Sequence, residues 1–144
     1  MQVIRTFEAQ SAAQVGLGIR VMMITGTAQN PVLAQRIAGM GGYVEAEGDL
    51  YHGLEQMIED PAGYGLCVID CDAVGGLEVA RRAQKLLGEV ALRVPVILVS
   101  NECSTQEFPQ QRGKPVVLRG SVSSVSMRVG FEHALRDRYV MRLI

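Results

Sequence analysis

The sequence predicts an α/β domain with a doubly wound, five-stranded parallel sheet and helices on both faces, a three-layer α/β/α arrangement. From residue 19 onward, short apolar runs of strand length alternate with segments whose apolar residues recur at helical spacing. Two of the runs, residues 64–70 and 95–100, are almost continuously apolar, as strands buried on both faces are. For a domain of this size the expected strand order is 2-1-3-4-5.

The individual elements follow from local signals. Asn30 is a good N-cap with Pro31 in the first helical position, and Asp49 can cap a second helix. The segment 101–114 is polar and interrupted by Pro109 and Gly113, so any helix there is short or distorted. The predicted strands are residues 19–25, 43–46, 64–70, 95–100 and 115–119. The predicted helices are 31–40, 49–58, 77–92 and 122–143, with Val79, Ala83, Leu86 and Val90 of the third helix facing inward.

Length and composition exclude several classes of protein. The 144 residues suffice for one core, which we place in residues 19–144, and residues 1–18 form an N-terminal extension. The net charge of −1 and the absence of a basic block argue against nucleic-acid binding. The apolar runs are too short to span a membrane, and no signal peptide is evident. The odd number of cysteines, three, fits a reducing cytoplasm.

Polar residues gather where the predicted strands end. In parallel sheets the carboxyl ends of the strands meet at one edge, and binding sites form there. We call this edge the crest. Its members are Thr25, Gly26, Asp70, Cys71, Asp72, Ser100, Asn101 and Arg119.

Three segments of the chain form a pattern when taken together: residues 67–70 followed by Gly75-Gly76-Leu77-Glu78, residues 94–100, and residues 116–119. They resemble the receiver domain of bacterial response regulators, which has a CheY-like, flavodoxin-like fold. The resemblance implies that Asp70 corresponds to the phosphoacceptor. It also implies that Ser100 and Arg119 correspond to the residues that contact the phosphoryl group.

The departures from the family's pattern predict a degenerate site. Thr25 and Gly26 stand where the family has an acidic pair, leaving Asp70 and Asp72 as weak candidates for binding a metal. Of these two, Asp72 is expected to be a loop-capping carboxylate in preference to a metal ligand. Because Mg²⁺ depends on carboxylate oxygens, we expect no bound Mg²⁺ and no other cofactor. Arg119 replaces the family's lysine and is expected to pair with Asp70. Gly120 replaces the following proline, which removes the usual reason for a cis peptide bond.

The resemblance leads to three hypotheses. The first is a stand-alone, non-catalytic pseudo-receiver in a bacterial two-component or phosphorelay pathway. It would bind a histidine kinase, a downstream regulator or a second copy of itself. The second is a working receiver phosphorylated on Asp70. The third is a small flavodoxin-like nucleotide-binding protein or enzyme, for which residues 26–30 are a poor phosphate-binding loop.

The closing helix carries two apolar stripes on opposite sides. Val122, Val125, Val129, Val140 and Leu143 form one, and Met127, Phe131, Ala134 and Leu135 form the other. Because one stripe suffices to pack on the sheet, we expect Met127, Phe131 and Leu135 to form the interface of a homodimer. The alternative is that Val3, Ile4 and Phe7 of the N-terminal segment cover that stripe.

The remaining reactive residues are expected to be structural. Cys71 and Cys103 lie on the crest, but free cysteines most often behave as small hydrophobic residues, so a redox or metal role with His52 is the minor alternative. His52 and His133 fall at exposed phases of their helices.

Overall fold

The computed structural model describes Gly16 and residues 18–137 and contains the expected sheet. Five parallel strands are hydrogen-bonded in the order β2-β1-β3-β4-β5. The strands are β1 (Arg20–Ile24), β2 (Tyr43–Glu47), β3 (Leu66–Asp70), β4 (Val96–Ser100) and β5 (Val116–Arg119). The α-helices in the described residues are α1 (Pro31–Gly39), α2 (Leu50–Glu59), α3 (Leu77–Lys85) and α4 (Ser124–Ala134). Both the fold class and the strand order are therefore confirmed.

Three of the four α-helices in the described residues begin at a capping side chain, and the exception is α3, which follows Gly76 without one. Asn30 accepts a hydrogen bond from the amide of Leu33 at 3.1 Å, and Pro31 follows in the first turn. Asp49 accepts from the amide of Tyr51 at 3.3 Å, and Ser123 accepts from Ser126 at 3.1 Å. Each cap satisfies an amide that has no partner within its helix, which sets where the helix starts.

The sheet separates two apolar layers. One layer packs beneath α2 and α3 and includes Leu54, Met57 and Ala83. The other packs beneath α1 and α4 and includes Ile37 and Phe131. Strands β3 and β4 contribute alternate side chains to both layers, which is why their sequences are apolar without interruption.

The third helix is shorter than its periodicity predicts. It ends at Lys85 and is followed by a separate 3-10 helix, Gly88–Leu92. Gly88 has a φ of +54°, which lies outside the helical region and breaks the run. In consequence Leu86, expected to face inward, is 62% exposed, and Leu87 is buried instead at 3%.

No helix connects β4 to β5 in the described chain. Residues 101–115 instead form a strap that runs along the free edge of β5. Glu107 and Val117 exchange two main-chain hydrogen bonds, of 2.9 and 3.0 Å, in an isolated antiparallel bridge. The expectation of a short or distorted helix is thus replaced by an irregular strap that pairs with the edge strand.

The two stripes of the closing helix were assigned the wrong way round. Met127 and Phe131 are fully buried and Leu135 is 2% exposed, all in the layer against the sheet, so they cannot form a homodimer interface. Val125 and Val129 face outward, at 73% and 43% exposure, whereas Val122 of the same predicted stripe precedes α4 and is buried at 6%. Gly130 explains the orientation, because a Cβ there would lie 2.9 Å from Leu118, so α4 approaches the sheet along this side.

Some expectations concern residues outside the described part of the chain. They are the extension up to residue 15, the cover by Val3, Ile4 and Phe7, and the end of the closing helix with Val140 and Leu143. None of the helices in the described residues combines the length and hydropathy needed to span a bilayer.

Candidate functional site at the crest

The crest forms a cleft between the start of α1 and the turn that follows β5. Asp70 ends β3, and Ser100 ends the neighbouring β4, where Asp70 is in register with Val99. The cleft is lined by Asn30, Asp70, Asp72, Asn101, Gly120 and Ser121, among others. The topology therefore brings the predicted Asp70 and Ser100 to one edge, with Asp72 beside them.

Asp72 is the central acceptor of the site. Its carboxylate accepts a hydrogen bond of 2.7 Å from the Ser100 hydroxyl and another of 2.7 Å from the amide of Asn101. The Ser100 hydroxyl in turn accepts from the amide of Glu102 at 3.0 Å. Ser100 is almost completely buried, at 1% exposure, so its hydroxyl needs these partners. The sequence predicts a loop-capping role for Asp72 in preference to metal binding, and these contacts fit that role, but Ser100 and Asn101 were not predicted as its partners.

Asp70 is held by the first helix. The Asn30 amide nitrogen donates to one Asp70 carboxylate oxygen at 3.0 Å, while the Asn30 amide oxygen caps α1. A single side chain thus joins the start of α1 to the end of β3. The other oxygen of the Asp70 carboxylate accepts no hydrogen bond from the described residues.

The two positions of the missing acidic pair are enclosed by the fold. Thr25 is buried at 4% exposure, directly after β1. Gly26 has a φ of +69°, and a Cβ at this position would lie 2.5 Å from the carbonyl oxygen of Ala73. The Cys71–Ala73 3-10 helix therefore occupies the space that a side chain at residue 26 would need.

Arg119 does not pair with Asp70 in the described structure, so that expectation is wrong. Its Nε donates to the Cys103 carbonyl at 3.2 Å, and an Nη donates to the Ser104 carbonyl. Its own amide donates to Gln106 at 3.0 Å. Arg119 points into the strap because the 103–106 segment offers main-chain acceptors beside the end of β5. The Arg119–Gly120 bond, where the family has its proline, is not cis, as expected, whereas the next bond, Gly120–Ser121, is cis.

The cysteines of the crest are buried in the apolar layer. Cys71 is fully buried and Cys103 is 5% exposed. Burial raises the pKa of the Cys71 thiol to about 12. Burial also raises the pKa of Cys67 far above its ordinary value. Since the thiolate is the reactive form, these environments disfavour thiol chemistry and fit the structural interpretation.

The two histidines differ from each other. His52 is exposed as expected, and its ring lies 3.1 Å from Glu47, which raises the pKa of the imidazole. His133, expected at the surface, is half-buried because its ring packs edge-on against Phe108. Its Nε2 lies 2.6 Å from the Pro109 carbonyl oxygen. His133 thereby anchors the strap to α4.

The donor set of the crest does not fit Mg²⁺. Both Asp72 oxygens are engaged by neutral donors, residue 26 has no side chain, and only Asp70 retains an uncommitted carboxylate oxygen. Among the described residues, no group of three histidine, cysteine or acidic side chains is placed to hold a metal ion. Since Mg²⁺ requires several oxygen ligands in near-octahedral geometry, weak metal binding remains our prediction.

Comparison with known proteins gives relatives by structure. No protein-family model and no curated protein matches the sequence. The receiver domain of the histidine kinase CKI1 from Arabidopsis thaliana, solved with Mg²⁺ and BeF₃⁻, matches with a TM-score of 0.60 and 18% identity. That match covers 92% of this chain and 97% of the other. The chain has the fold of a response-regulator receiver domain.

Two further structures agree with this receiver fold. CpaE from Burkholderia thailandensis, a protein named for pilus assembly, matches with a TM-score of 0.62 and 16% identity over 82% of this chain and 98% of its own. The response regulator PhyR from Brucella abortus matches with a TM-score of 0.57 and 14% identity. This chain is covered to 99% in that match but spans only 59% of PhyR.

Proposed function

We propose that this chain is a receiver-type signalling module that acts by binding another protein and that its own Asp72 carboxylate takes the place of a phosphoryl group. The supporting observation is the pair of donors, the Ser100 hydroxyl and the Asn101 amide, that converge on Asp72 at 2.7 Å. By resemblance, Ser100 is the residue that would contact a phosphoryl group. A carboxylate bound there supplies negative charge and oxygen acceptors without phosphorylation.

Two other features support a site that keeps a single conformation without phosphorylation. Gly26 lies against the Ala73 carbonyl, so the metal-binding carboxylates of the family have no room at that position. Arg119 is committed to the carbonyls of residues 103 and 104 instead of facing the cleft. Phosphoryl transfer to a carboxylate needs cations that offset the charge of the reacting oxygens. The two usual cations are a bound Mg²⁺ and the basic side chain at the end of β5, and we expect neither of them in this cleft.

The test is an amide NMR titration with beryllofluoride, with and without Mg²⁺. We expect the Asp70 and Asn101 amides of the wild type to stay in place, because Asp72 already occupies the donors. Glu55→Ala, which removes an exposed carboxylate from α2, is the control and should behave as the wild type. A saturable, Mg²⁺-dependent shift of both amides in the wild type would contradict the proposal.

A phosphorylated Asp70 is the second candidate function. It is favoured by one observation: Asp70 lines the cleft, and one of its carboxylate oxygens accepts no hydrogen bond from the described residues. Incubation with acetyl phosphate and Mg²⁺, followed by intact-mass spectrometry of wild type and Asp70→Asn, separates the two. A phosphoryl adduct present in the wild type and absent in Asp70→Asn would put this candidate first.

The partner we propose is a protein of the same signalling apparatus, either a histidine kinase or a downstream regulator. A second copy of the chain is the remaining possibility, through a surface other than Met127, Phe131 and Leu135. No enzymatic activity and no cofactor form part of the proposal. Light scattering over a range of concentrations measures self-association directly. A stable monomer would exclude the homodimer and leave a different protein as the partner.

A further inference from the structure

Two adjoining cavities open at the end of the sheet opposite the crest. One, of about 320 Å³, lies over the starts of β4 and β5, and the other, of about 850 Å³, lies between α3 and the strap. Both are lined by Ala91, Leu92 and the run 111–114. We call the two together the basal trough. Each of the two volumes by itself lies in the range of ligand-binding sites.

The basal trough is basic although the chain is not. Its lining includes Arg81, Lys85, Arg93, Arg112, Lys114 and Arg136, against the acidic Glu89, Glu107 and Asp137. The whole chain has 14 basic and 15 acidic residues. A local excess of cations in a weakly acidic protein creates a positive potential confined to one end of the molecule.

Three of these six cations have partners among the described residues, and the other three have none. Arg81 pairs with Glu107, Arg112 lies 3.1 Å from Asp137, and the Arg136 guanidinium binds main-chain carbonyls of the strap. By contrast, Lys85, Arg93 and Lys114 make no hydrogen bond or ion pair with the described residues, and all three are exposed. Their charges are therefore available to an incoming anionic group.

The floor of the basal trough is apolar and its wall is anchored. Leu92 is 48% exposed at the edge and Pro95 is half-buried, whereas Ala91, Val96, Val116 and Leu135 lie beneath them at 6% exposure or less. Gln84, only 4% exposed, donates a 2.8 Å hydrogen bond to the Gly113 carbonyl. This buried bond holds the 111–114 wall against α3, so little ordering of the wall is required on binding.

We infer that the basal trough is the docking site for an acidic, partly apolar peptide segment of the partner protein. Charge complementarity to Lys85, Arg93 and Lys114 selects the acidic side chains, and the apolar floor accepts the hydrophobic ones. The inference rests on the proposed function for its premise that the partner is a protein, but it places the contact far from Asp70.

Other occupants fit this surface less well. The residues that follow 137 in this chain include Arg138 and Arg142, which have the same sign of charge as the trough. A single-stranded nucleic acid needs aromatic side chains on which its bases can stack, and neither cavity has an aromatic residue in its lining. An acidic peptide meets both the charge and the apolar floor.

The experiment measures binding of fluorescein-labelled peptides to the full chain by fluorescence anisotropy. The probes are an alternating glutamate–leucine peptide, an alternating lysine–leucine peptide and an all-glutamate peptide of the same length. We expect the glutamate–leucine peptide to bind most tightly and its affinity to fall with added salt. Arg93→Glu with Lys114→Glu should weaken binding by about tenfold or more. Arg82→Glu, an exposed charge reversal on α3 outside both cavities, should change it less than about threefold.

The outcomes separate this inference from the proposed function. Equal binding of the lysine–leucine peptide, or no effect of the Arg93/Lys114 double variant, would overturn the docking site and leave the crest proposal standing. Tighter binding of a single-stranded DNA oligonucleotide than of any peptide would also overturn it. Unchanged peptide binding in Glu55→Ala is expected, because this exposed residue of α2 lines neither cavity.

Discussion

The hydroxyl of Ser100 donates a 2.7 Å hydrogen bond to the carboxylate of Asp72, and this contact joins β4 to the 3-10 helix that follows β3. The Asn101 amide binds the second oxygen of the same carboxylate. Asp72 therefore acts as a cross-link between two neighbouring strand ends, in addition to its proposed place in function.

Removing the Asp72 carboxylate should weaken the fold. Asp72→Ala loses two hydrogen bonds and leaves the buried Ser100 hydroxyl without its acceptor, so we expect a loss of about 1–2 kcal/mol in the free energy of unfolding. Urea denaturation measures it, with Glu55→Ala expected to stay within about 0.5 kcal/mol of the wild type. A loss no greater than that of Glu55→Ala would show that the cross-link contributes little.

Asp70 and Arg119 should behave as independent residues. Since Arg119 binds carbonyls of the strap and Asp70 binds Asn30, a double-mutant cycle of Asp70→Asn and Arg119→Ala should give a coupling energy within about 0.5 kcal/mol of zero. Arg119→Ala alone should speed hydrogen exchange in residues 103–107. A coupling energy above 1 kcal/mol would instead indicate that the two side chains pair in solution.

Phe131 should be a core residue and Val129 a surface one. Phe131→Ala is expected to cost about 3–5 kcal/mol of stability, because it leaves a cavity between α4 and the sheet. Val129→Ala, two residues earlier on the outward stripe, should change stability by less than about 0.5 kcal/mol. Thermal denaturation of the two variants tests the orientation of α4, and the reverse ranking would contradict it.

Gly26 should not tolerate a side chain. Its positive φ and the 2.5 Å approach to the Ala73 carbonyl predict that Gly26→Ala destabilises the protein by more than about 1 kcal/mol. Gly39→Ala is the matched control, since no atom lies within 4 Å of its Cβ position, and should stabilise by roughly 0.5 kcal/mol. If Gly26→Ala were as stable as Gly39→Ala, the closed geometry of the crest would be wrong.

Stability should decline at alkaline pH partly through Tyr64. Burial, and then the 2.5 Å hydrogen bond to Glu45, raise the pKa of Tyr64 to about 12 from 10.0. A group whose pKa is raised on folding stabilises fully below the unfolded value, so this contribution is lost between pH 10 and about 12. Tyr64→Phe should flatten the profile there, whereas Tyr51→Phe on the exposed face of α2 should not. An identical slope in wild type and Tyr64→Phe would contradict the assignment.

The parts of the fold that depend on neighbouring residues in the chain could be predicted from the sequence. Asn30 and Asp49 start helices because a cap needs only a side-chain oxygen and the next turn. Strands β3 and β4 followed from nearly uninterrupted apolar runs, and the other strands from shorter runs between helical segments. Asp70 and Ser100 could be placed at one edge because a parallel sheet aligns its strand ends.

The wrong predictions concern features that are determined by contacts between residues far apart in the chain. Either stripe of α4 satisfies helical periodicity, and only the close approach of Gly130 to Leu118 determines which one is buried. The glycine itself was the available signal. The direction of the Arg119 side chain depends on the path of the strap. The strap could not be predicted, because its sequence has neither helical nor strand periodicity. The partnership of Asp72 with Ser100 likewise required the geometry of the turn after β3.

The bridge between Glu107 and Val117 affects whether the sheet of another molecule can pair with the edge strand β5. Along the outer edge of β5 the amides of Val117 and Arg119 and the carbonyl of Val117 are already bonded to the strap. Of the two edge strands in the described part of the chain, β2 is the one beside which another chain could add a strand. Two molecules joined through β2 would each have β5 and its strap at the outer end, so strand addition to the native sheet would stop at two molecules.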